Sequence, residues 1–325
     1  MLTGPTAGNG EVRLARVSVV IPTYERAARL PGLVAALEAQ SLPRGDFEVI
    51  VADDGSRDET QAVLADLVAR TRLDLRVVRN PSNRGPGRAR NLAWRSSAAP
   101  VIAFTDDDCL PDPGWLEAGL ARLENTSVGI VQGRTLPDPS AALGHWAVTQ
   151  RLEKFSDRYE TCNIFYQRAV LEEVGGFDEE IIFFGEDAVP GWKARRLGIT
   201  AEFAPDALVF HAVTHPGARY FLRWAMQHGN WATLVRRFPE MRREVLWGGV
   251  FVKRSHVGLI SALVGLGVGI VWRPALLLCI PYVWHRRPRA FSRDAVLDQL
   301  LAGWFDVAVL VGLAAGSVRE RTLVL

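Results

Sequence analysis

Three consecutive carboxylates, Asp106, Asp107 and Asp108, follow an apolar run in FTDDDC, residues 104–109. Carboxylates packed side by side repel and raise one another's pKa unless a cation neutralises them. Hard oxygen donors suit Mg²⁺ or Mn²⁺, ions commonly shared with substrate phosphates. A solvated acidic loop is the plain alternative, and the buried character of the preceding run argues against it. A second acidic pair, Asp53-Asp54, ends the apolar run of VIVADDGSRDET, residues 49–60. Gly55 permits a tight turn there and Ser56 can cap a following helix, while a carboxylate beyond that need can accept N–H groups of a base or sugar. In NRGPGRARNLAW, residues 83–94, Gly85 and Gly87 free the loop backbone, and Arg84, Arg88 and Arg90 offer phosphate-binding donors. That segment is neither a P-loop nor a G-x-G-x-x-G. VSVVIPTYER, residues 17–26, runs into a loop carrying Pro22 and Tyr24. Glu186-Asp187, within FFGEDAVPGWKARRLG (183–198), reads on its own as capping of a helix N-terminus by acidic residues. His211, after the strand-like ALVF, is either a structural side chain or a metal ligand.

The elements that must position these groups are legible in the pattern. Short β-rich apolar runs recur at Val17–Ile21, Phe47–Ala52, Leu75–Val78 and Val101–Phe104. Leu30, Leu33, Val34 and Leu37 fall at i, i+3, i+4 and i+7, one apolar helix face. Ser56 and Glu59 have capping-box spacing for a helix carrying Val63, Leu64, Leu67 and Val68. Strands alternating with helices, the strands nearly continuous in apolar residues, imply a parallel sheet covered on both faces. Ligands in such sheets bind beyond the carboxyl ends of the strands, where the polar clusters sit.

In combination, order and spacing, these clusters resemble the family 2 glycosyltransferases over roughly residues 15–215. The resemblance implies an α/β GT-A fold, a Rossmann-like mixed sheet with helices on both faces. It implies a nucleotide-diphosphate sugar as donor and inverting transfer to an acceptor hydroxyl in a single displacement. Pro22, Tyr24 and Asp54 then hold the nucleoside, and Asp106 or Asp107 lies nearer the ribose. Arg88 touches the diphosphate, with Arg84 close enough to be confused with it. Asp108 becomes a ligand of Mn²⁺ or Mg²⁺, joined by His211. TCNIFYQRAVLEEVGGFDE (161–179) resembles the acceptor-side segment, with Asn163 and Arg168 at its polar positions. Glu186 and Trp192 belong to the acceptor side as well, and Asp187 is the catalytic base. Val189 and Pro190 stand where the family has an acidic residue and then Leu, and Lys193 replaces an arginine. Those departures keep open a catalytically inert nucleotide-sugar-binding scaffold. A nucleotidyltransferase, which would release pyrophosphate, is a further alternative.

The chain has 325 residues, 48% apolar and 23% charged, enough to bury a sizeable core. A net charge of +2 argues against a dedicated nucleic-acid binder. Three widely separated cysteines point to a reducing compartment. The start of the chain has no apolar core of a secretory signal, and residues 1–15 read as flexible. The glycosyltransferase domain is expected over 16–215, amphipathic interfacial helices over 216–250, and hydrophobic membrane-associated helices over 251–325. Arg219–Leu246 mixes aromatics with arginines, which reads either as a solvated amphipathic helix packed on the domain or as an interfacial helix at anionic lipid headgroups. Val257–Trp272 and Ala275–Trp284 carry no charge, and Leu300–Val318 carries only Asp306. The first of these runs reaches about 24 Å as helix, short of a ~30 Å hydrocarbon core; the third is long enough to span. Basic residues flank nearly every run, so orientation is not fixed by charge. Nucleotide sugars are cytosolic. The expectation is a lipid-linked glycan acceptor at the cytoplasmic face of the membrane, the alternative being a soluble or polymeric acceptor with the C-terminal helices serving only as an anchor.

Overall fold

The computed structural model describes residues 14–125, 127–144, 147–181, 184–288 and 292–325. The expected flexible start falls almost wholly outside the described residues. The chain divides into two compact units. The first comprises Met1–Thr135, Thr161–Gly176 and Gly198–Val209; the second comprises Leu136–Glu160, Phe177–Leu197 and Phe210–Leu325. Compactness therefore divides the chain differently from the compositional boundary near residue 215. Two segments upstream of that boundary cluster with the C-terminal region.

The strands are β1 (Val17–Thr23), β2 (Phe47–Asp53), β3 (Leu75–Arg79), β4 (Val101–Thr105), β5 (Cys109–Pro111), β6 (Val128–Pro137), β7 (Asn163–Gln167) and β8 (Thr200–His211), all in the first unit except the last two residues of β6 and of β8, which fall in the second. They form one sheet in the order β3-β2-β1-β4-β7-β6-β8-β5. Pairing is parallel from β3 to β4 and turns antiparallel at β7, so the sheet is mixed. In register, Val19 lies between Val49 and Ala103, and Thr105 faces Asn163. Every residue of β1 and β2 is buried, the physical reason these strands read as continuous rather than alternating.

Helices α1 (Leu30–Glu38), α2 (Thr60–Arg70), α3 (Pro86–Ser96), α4 (Trp115–Leu123) and α5 (Arg168–Val174) complete this unit. In α1 the buried residues are Leu30, Leu33, Val34 and Leu37, the stripe expected from spacing. The capping box at Ser56 and Glu59 does not form. Helix α2 begins at Thr60, its cap Glu59 makes no side-chain cap bond, and Leu64 is its buried apolar residue. Ser56 Oγ instead accepts the Glu25 N–H at 2.9 Å, a bond across 31 residues that local spacing cannot reveal.

The second unit is helical: α6 (Ala188–Arg196), α7 (Ala218–Gln227), α8 (Asn230–Arg237), α9 (Met241–Glu244), α10 (Arg254–Gly269), α11 (Ile280–His285) and α12 (Arg293–Glu320), with a 3₁₀ segment over Arg273–Cys279. Helix α12 packs on α7 and α8 through bare backbone. A β-carbon on Gly316 would lie 2.2 Å from the Gly229 carbonyl oxygen, and one on Gly312 would lie 2.5 Å from that of Ala225. At 28 residues, α12 extends about 42 Å, and by length and composition it can cross a membrane. The one charge within its apolar run Leu300–Val318 is buried and neutralised: Asp306 accepts from Tyr282 Oη and Arg286 Nε, each at 3.1 Å. By contrast, the end of α10 and the segment after it expose Leu266, Val268, Ile270, Val271 and Trp272.

Candidate active site

The acidic turn lies at the carboxyl end of β4, beside the end of β1. Asp106 Oδ1 accepts from Arg90 Nη2 at 2.9 Å, and the Asp106 carbonyl accepts the Cys109 N–H at 3.1 Å, closing the turn into β5. Asp107 is buried and accepts from Thr23 Oγ1 at 2.7 Å, which ties the turn to β1. Burial first, and then the neighbouring Asp108 charge, push the Asp107 carboxyl up to about 7. Burial likewise pushes the Cys109 thiol well up, so this residue enters as a buried thiol rather than a ready thiolate. A divalent cation here would favour the charged carboxylates and reverse the crowding. The carboxylates of the turn, with Asp108 half-buried, are hard oxygen donors of the kind that suits Mg²⁺ or Mn²⁺.

His211 is the last residue of β8, the strand beside β5 in the sheet order. Its Nδ1 lies 2.9 Å from the Ala212 carbonyl oxygen. A proton on Nδ1 donated to that carbonyl leaves the lone pair on Nε2, the tautomer a metal-ligating imidazole uses.

Asp54, at the end of β2, accepts Asn80 Nδ2 at 2.7 Å and the N–H groups of Arg84 and Gly85 at 2.9 and 2.8 Å. A carboxylate has about four acceptor positions; three here pin the loop that opens α3. Asp53 is ion-paired with Arg79 and accepts the Ser56 N–H at 2.8 Å. Pro22 is buried in β1 opposite Ala52. Tyr24 is half-buried in the loop that follows, its phenol raised by hydrogen bonding to Glu25. Glu25 itself sits at φ 53°, a left-handed backbone that turns the loop toward Ser56. In α3, Arg88 is half-buried within the first turn and Arg84 is exposed before it.

Arg90, grouped by sequence with Arg84 and Arg88 as a phosphate-binding donor, is instead committed to Asp106. It is 4% exposed, on a buried stripe of α3 that also includes Gly87, Asn91 and Trp94. An arginine at i+3 within such a stripe demands a carboxylate partner, and that spacing was the available signal.

In the second unit, Phe184 and Gly185 adopt φ of 66° and 101° in succession. The φ of Gly185 is what calls for glycine, and a β-carbon there would also make Leu234 Cδ1, 2.8 Å away, shift. This turn delivers Glu186, buried, and Asp187, the N-cap residue of α6. The Asp187 side chain makes no cap hydrogen bond, which weakens the capping alternative. Val189 and Pro190 lie in the first turn of α6, where backbone N–H groups have no intrahelical acceptor. Proline is tolerated there, so these departures leave the helix intact.

Three side chains assigned to the acceptor side have other work. Asn163 is fully buried; its Oδ1 accepts from Trp115 Nε1 at 2.8 Å, and its Nδ2 donates to the carbonyls of Arg134 and Ala207 at 2.8 and 2.9 Å. It fastens α4, β6 and β8 around β7. Arg168 clasps the loop before β4, donating to the carbonyls of Ala99, Trp94 and Ser97. Trp192 is also fully buried, its indole N–H donated to the Asp157 carbonyl at 2.8 Å.

Comparison with known proteins agrees with this architecture. The sequence profile of the glycosyl transferase family 2 matches residues 18–176. The chain is 31% identical over 203 residues to glycosyltransferase AglE of Haloferax volcanii, covering 60% of this chain and 66% of that protein. It is 28% identical over 300 residues to the pre-mycofactocin glycosyltransferase of Mycobacterium tuberculosis, covering 87% of this chain and 60% of that protein. The chain thus spans about two thirds or less of the length of these relatives. Among solved structures, the mannosyltransferase PcManGT from Pyrobaculum calidifontis, in complex with GDP-Man and Mn²⁺, superposes with a TM-score of 0.59 at 20% identity over 95% of this chain and 88% of that one. TarS 1–349 of S. aureus in complex with UDP gives 0.51 at 17% identity, over 94% and 92%. With an acidic turn at the end of β4 in a mixed sheet of this order, the chain belongs to glycosyltransferase family 2 and has its GT-A fold.

Proposed function

We propose that this chain transfers a sugar from a nucleotide-diphosphate sugar to a hydroxyl of a lipid-linked glycan, with inversion at the anomeric carbon. The observation that carries the reading is the Asp106–Asp108 turn, placed at the carboxyl end of β4 and tied to β1 through Thr23. Support comes from relatives named as glycosyltransferases and from a structural neighbour holding GDP-Man and Mn²⁺.

On this reading Pro22, Tyr24 and Asp54 surround the nucleoside, Asp106 and Asp107 face the ribose, and Arg88 meets the diphosphate. Asp108 and His211 would hold Mn²⁺ or Mg²⁺, which when bound offsets negative charge on the departing diphosphate. Arg90 positions Asp106 through their 2.9 Å ion pair. Asp187 accepts the proton of the acceptor hydroxyl as its oxygen attacks, and Glu186 adjoins the acceptor. One displacement suffices, so no covalent glycosyl-enzyme is formed. Helix α12 and the exposed apolar residues around α10 favour membrane association, with the transferase domain on the cytoplasmic side where nucleotide sugars are. Asp187→Asn tests the assignment: transfer should be abolished while affinity for the nucleoside diphosphate is retained. Retained turnover would remove Asp187 from the role of base.

A further inference from the structure

The second unit contains a cavity of about 780 Å³ lined by its own residues. Its aromatic face is Phe184, His228 and Trp231, with Phe184 ring centroids 4.4 Å from His228 and 6.3 Å from Trp231. Leu152, Val245 and Val252 extend the apolar wall. Phe184 lies three residues before Asp187 in the chain, in the turn that leads into α6.

The charges on its lining are unevenly matched. Glu153 is paired with Arg151 at 2.6 Å, and both Asp157 and Glu244 are held by Arg195. Arg158 pairs with Glu160 at 2.7 Å. Lys154 and Lys253 line the same cavity and have no ion pair among the described residues. They are two of only three lysines in the chain. The Lys253 ammonium is half-buried, 5.0 Å from the centroid of the Phe305 ring. The surplus is felt inside. Burial first, joined by the charges of Lys253, His256 and Arg158, holds His228 down to about 4 against its backbone bond to Trp224. A cavity with an apolar wall and two unmatched ammonium groups suits a phosphate carried on a hydrocarbon chain.

We infer that this cavity binds the phosphate group of a lipid-borne acceptor, with Lys154 and Lys253 as counter-charges and Phe184, Trp231 and Val252 against the first carbons of the lipid. This inference rests on the transferase reading and gives its acceptor a chemical class. Calorimetric titration of the full chain in detergent tests it, using farnesyl phosphate, farnesol and inorganic phosphate as probes. Farnesyl phosphate should bind at least about tenfold more tightly than either of the others, and Lys253→Gln should weaken it about tenfold. Lys253→Arg should hold that affinity, which separates lost charge from lost packing. The double change Lys154→Gln, Lys253→Gln should abolish the preference over farnesol. Equal affinity for farnesol, equal affinity for inorganic phosphate, or an unaltered preference in the double variant would each overturn the assignment. A parallel titration of the unmodified protein with nucleoside diphosphate and Mn²⁺ separates the two readings. Failure there condemns the transferase reading, whereas a normal donor response with no phosphate preference condemns the cavity alone.

Discussion

Removing the Asn163 amide isolates the claim that this residue fastens the sheet rather than contacting an acceptor. Asn163→Ala leaves three groups without their partner at once: the Trp115 indole N–H and the carbonyls of Arg134 and Ala207. Trp115 and Asn163 are both fully buried, so water does not replace the lost bond at the indole. A buried donor left unsatisfied costs about 1–3 kcal/mol, and two carbonyls deprived of a donor bring the loss to about 3–5 kcal/mol. Stability of a domain is only about 5–15 kcal/mol, so the change is large. It should lower the melting temperature by on the order of 10 °C. Differential scanning calorimetry of the variant reads this directly, and steady-state kinetics below the new transition reads the other half. The fastening role requires a depressed transition with an acceptor KM close to that of the unmodified protein. An unchanged transition with a raised acceptor KM would refute the reasoning and return Asn163 to the acceptor side.

Asp108→Ala should remove most of the metal-dependent part of donor affinity, and EDTA should do the same to the unmodified protein; titrations insensitive to both would remove the metal from Asp108. Gly316→Val places a β-carbon 2.2 Å from the Gly229 carbonyl oxygen, so α12 must separate from α8. The expected loss is about 1–3 kcal/mol or more, read as a lower transition temperature in detergent, and a wild-type transition would contradict the close approach. His228, held at about 4 rather than 6.5 chiefly by burial, stabilises the fold as a neutral ring above pH 6.5 and loses that contribution as pH falls toward 4. From pH 7 to pH 5 the loss is about 2 kcal/mol. His228→Gln should flatten this part of the stability profile, and an unaltered slope would assign the acid sensitivity elsewhere.

What the chain discloses before folding follows the range of the interactions concerned. Strand β1 and helix α1 are legible because burial imposes a local pattern, continuous for a strand covered on both faces and i, i+3, i+4, i+7 for a helix with one buried face. The acidic turn ending β4 is legible for the same reason, since the apolar run stops where Asp106 begins, whereas the pattern implies a parallel sheet and does not reveal the antiparallel pairing of β7. Ser56 has capping-box spacing, yet a loop 31 residues away claims its hydroxyl, and no local rule sees that partner. Asn163, Arg168 and Trp192 have polar atoms suited to an acceptor, but carbonyls and an indole from remote segments occupy them. Arg90 could have been found from its place on the buried stripe of α3. Asp306 reads as an interruption of an apolar run until Tyr282 and Arg286 arrive from outside its helix.

The central claim is tested most directly by the identity of the released product. The full chain in lipid nanodiscs with Mn²⁺, presented with a panel of nucleotide-diphosphate sugars and a polyprenyl-phosphate-linked glycan, should release a nucleoside diphosphate with one donor, and Asp187→Asn should release none in the same assay. Release of pyrophosphate would make the protein a nucleotidyltransferase, and binding of a donor with no release from any member of the panel would make it an inert scaffold; either contradicts the account.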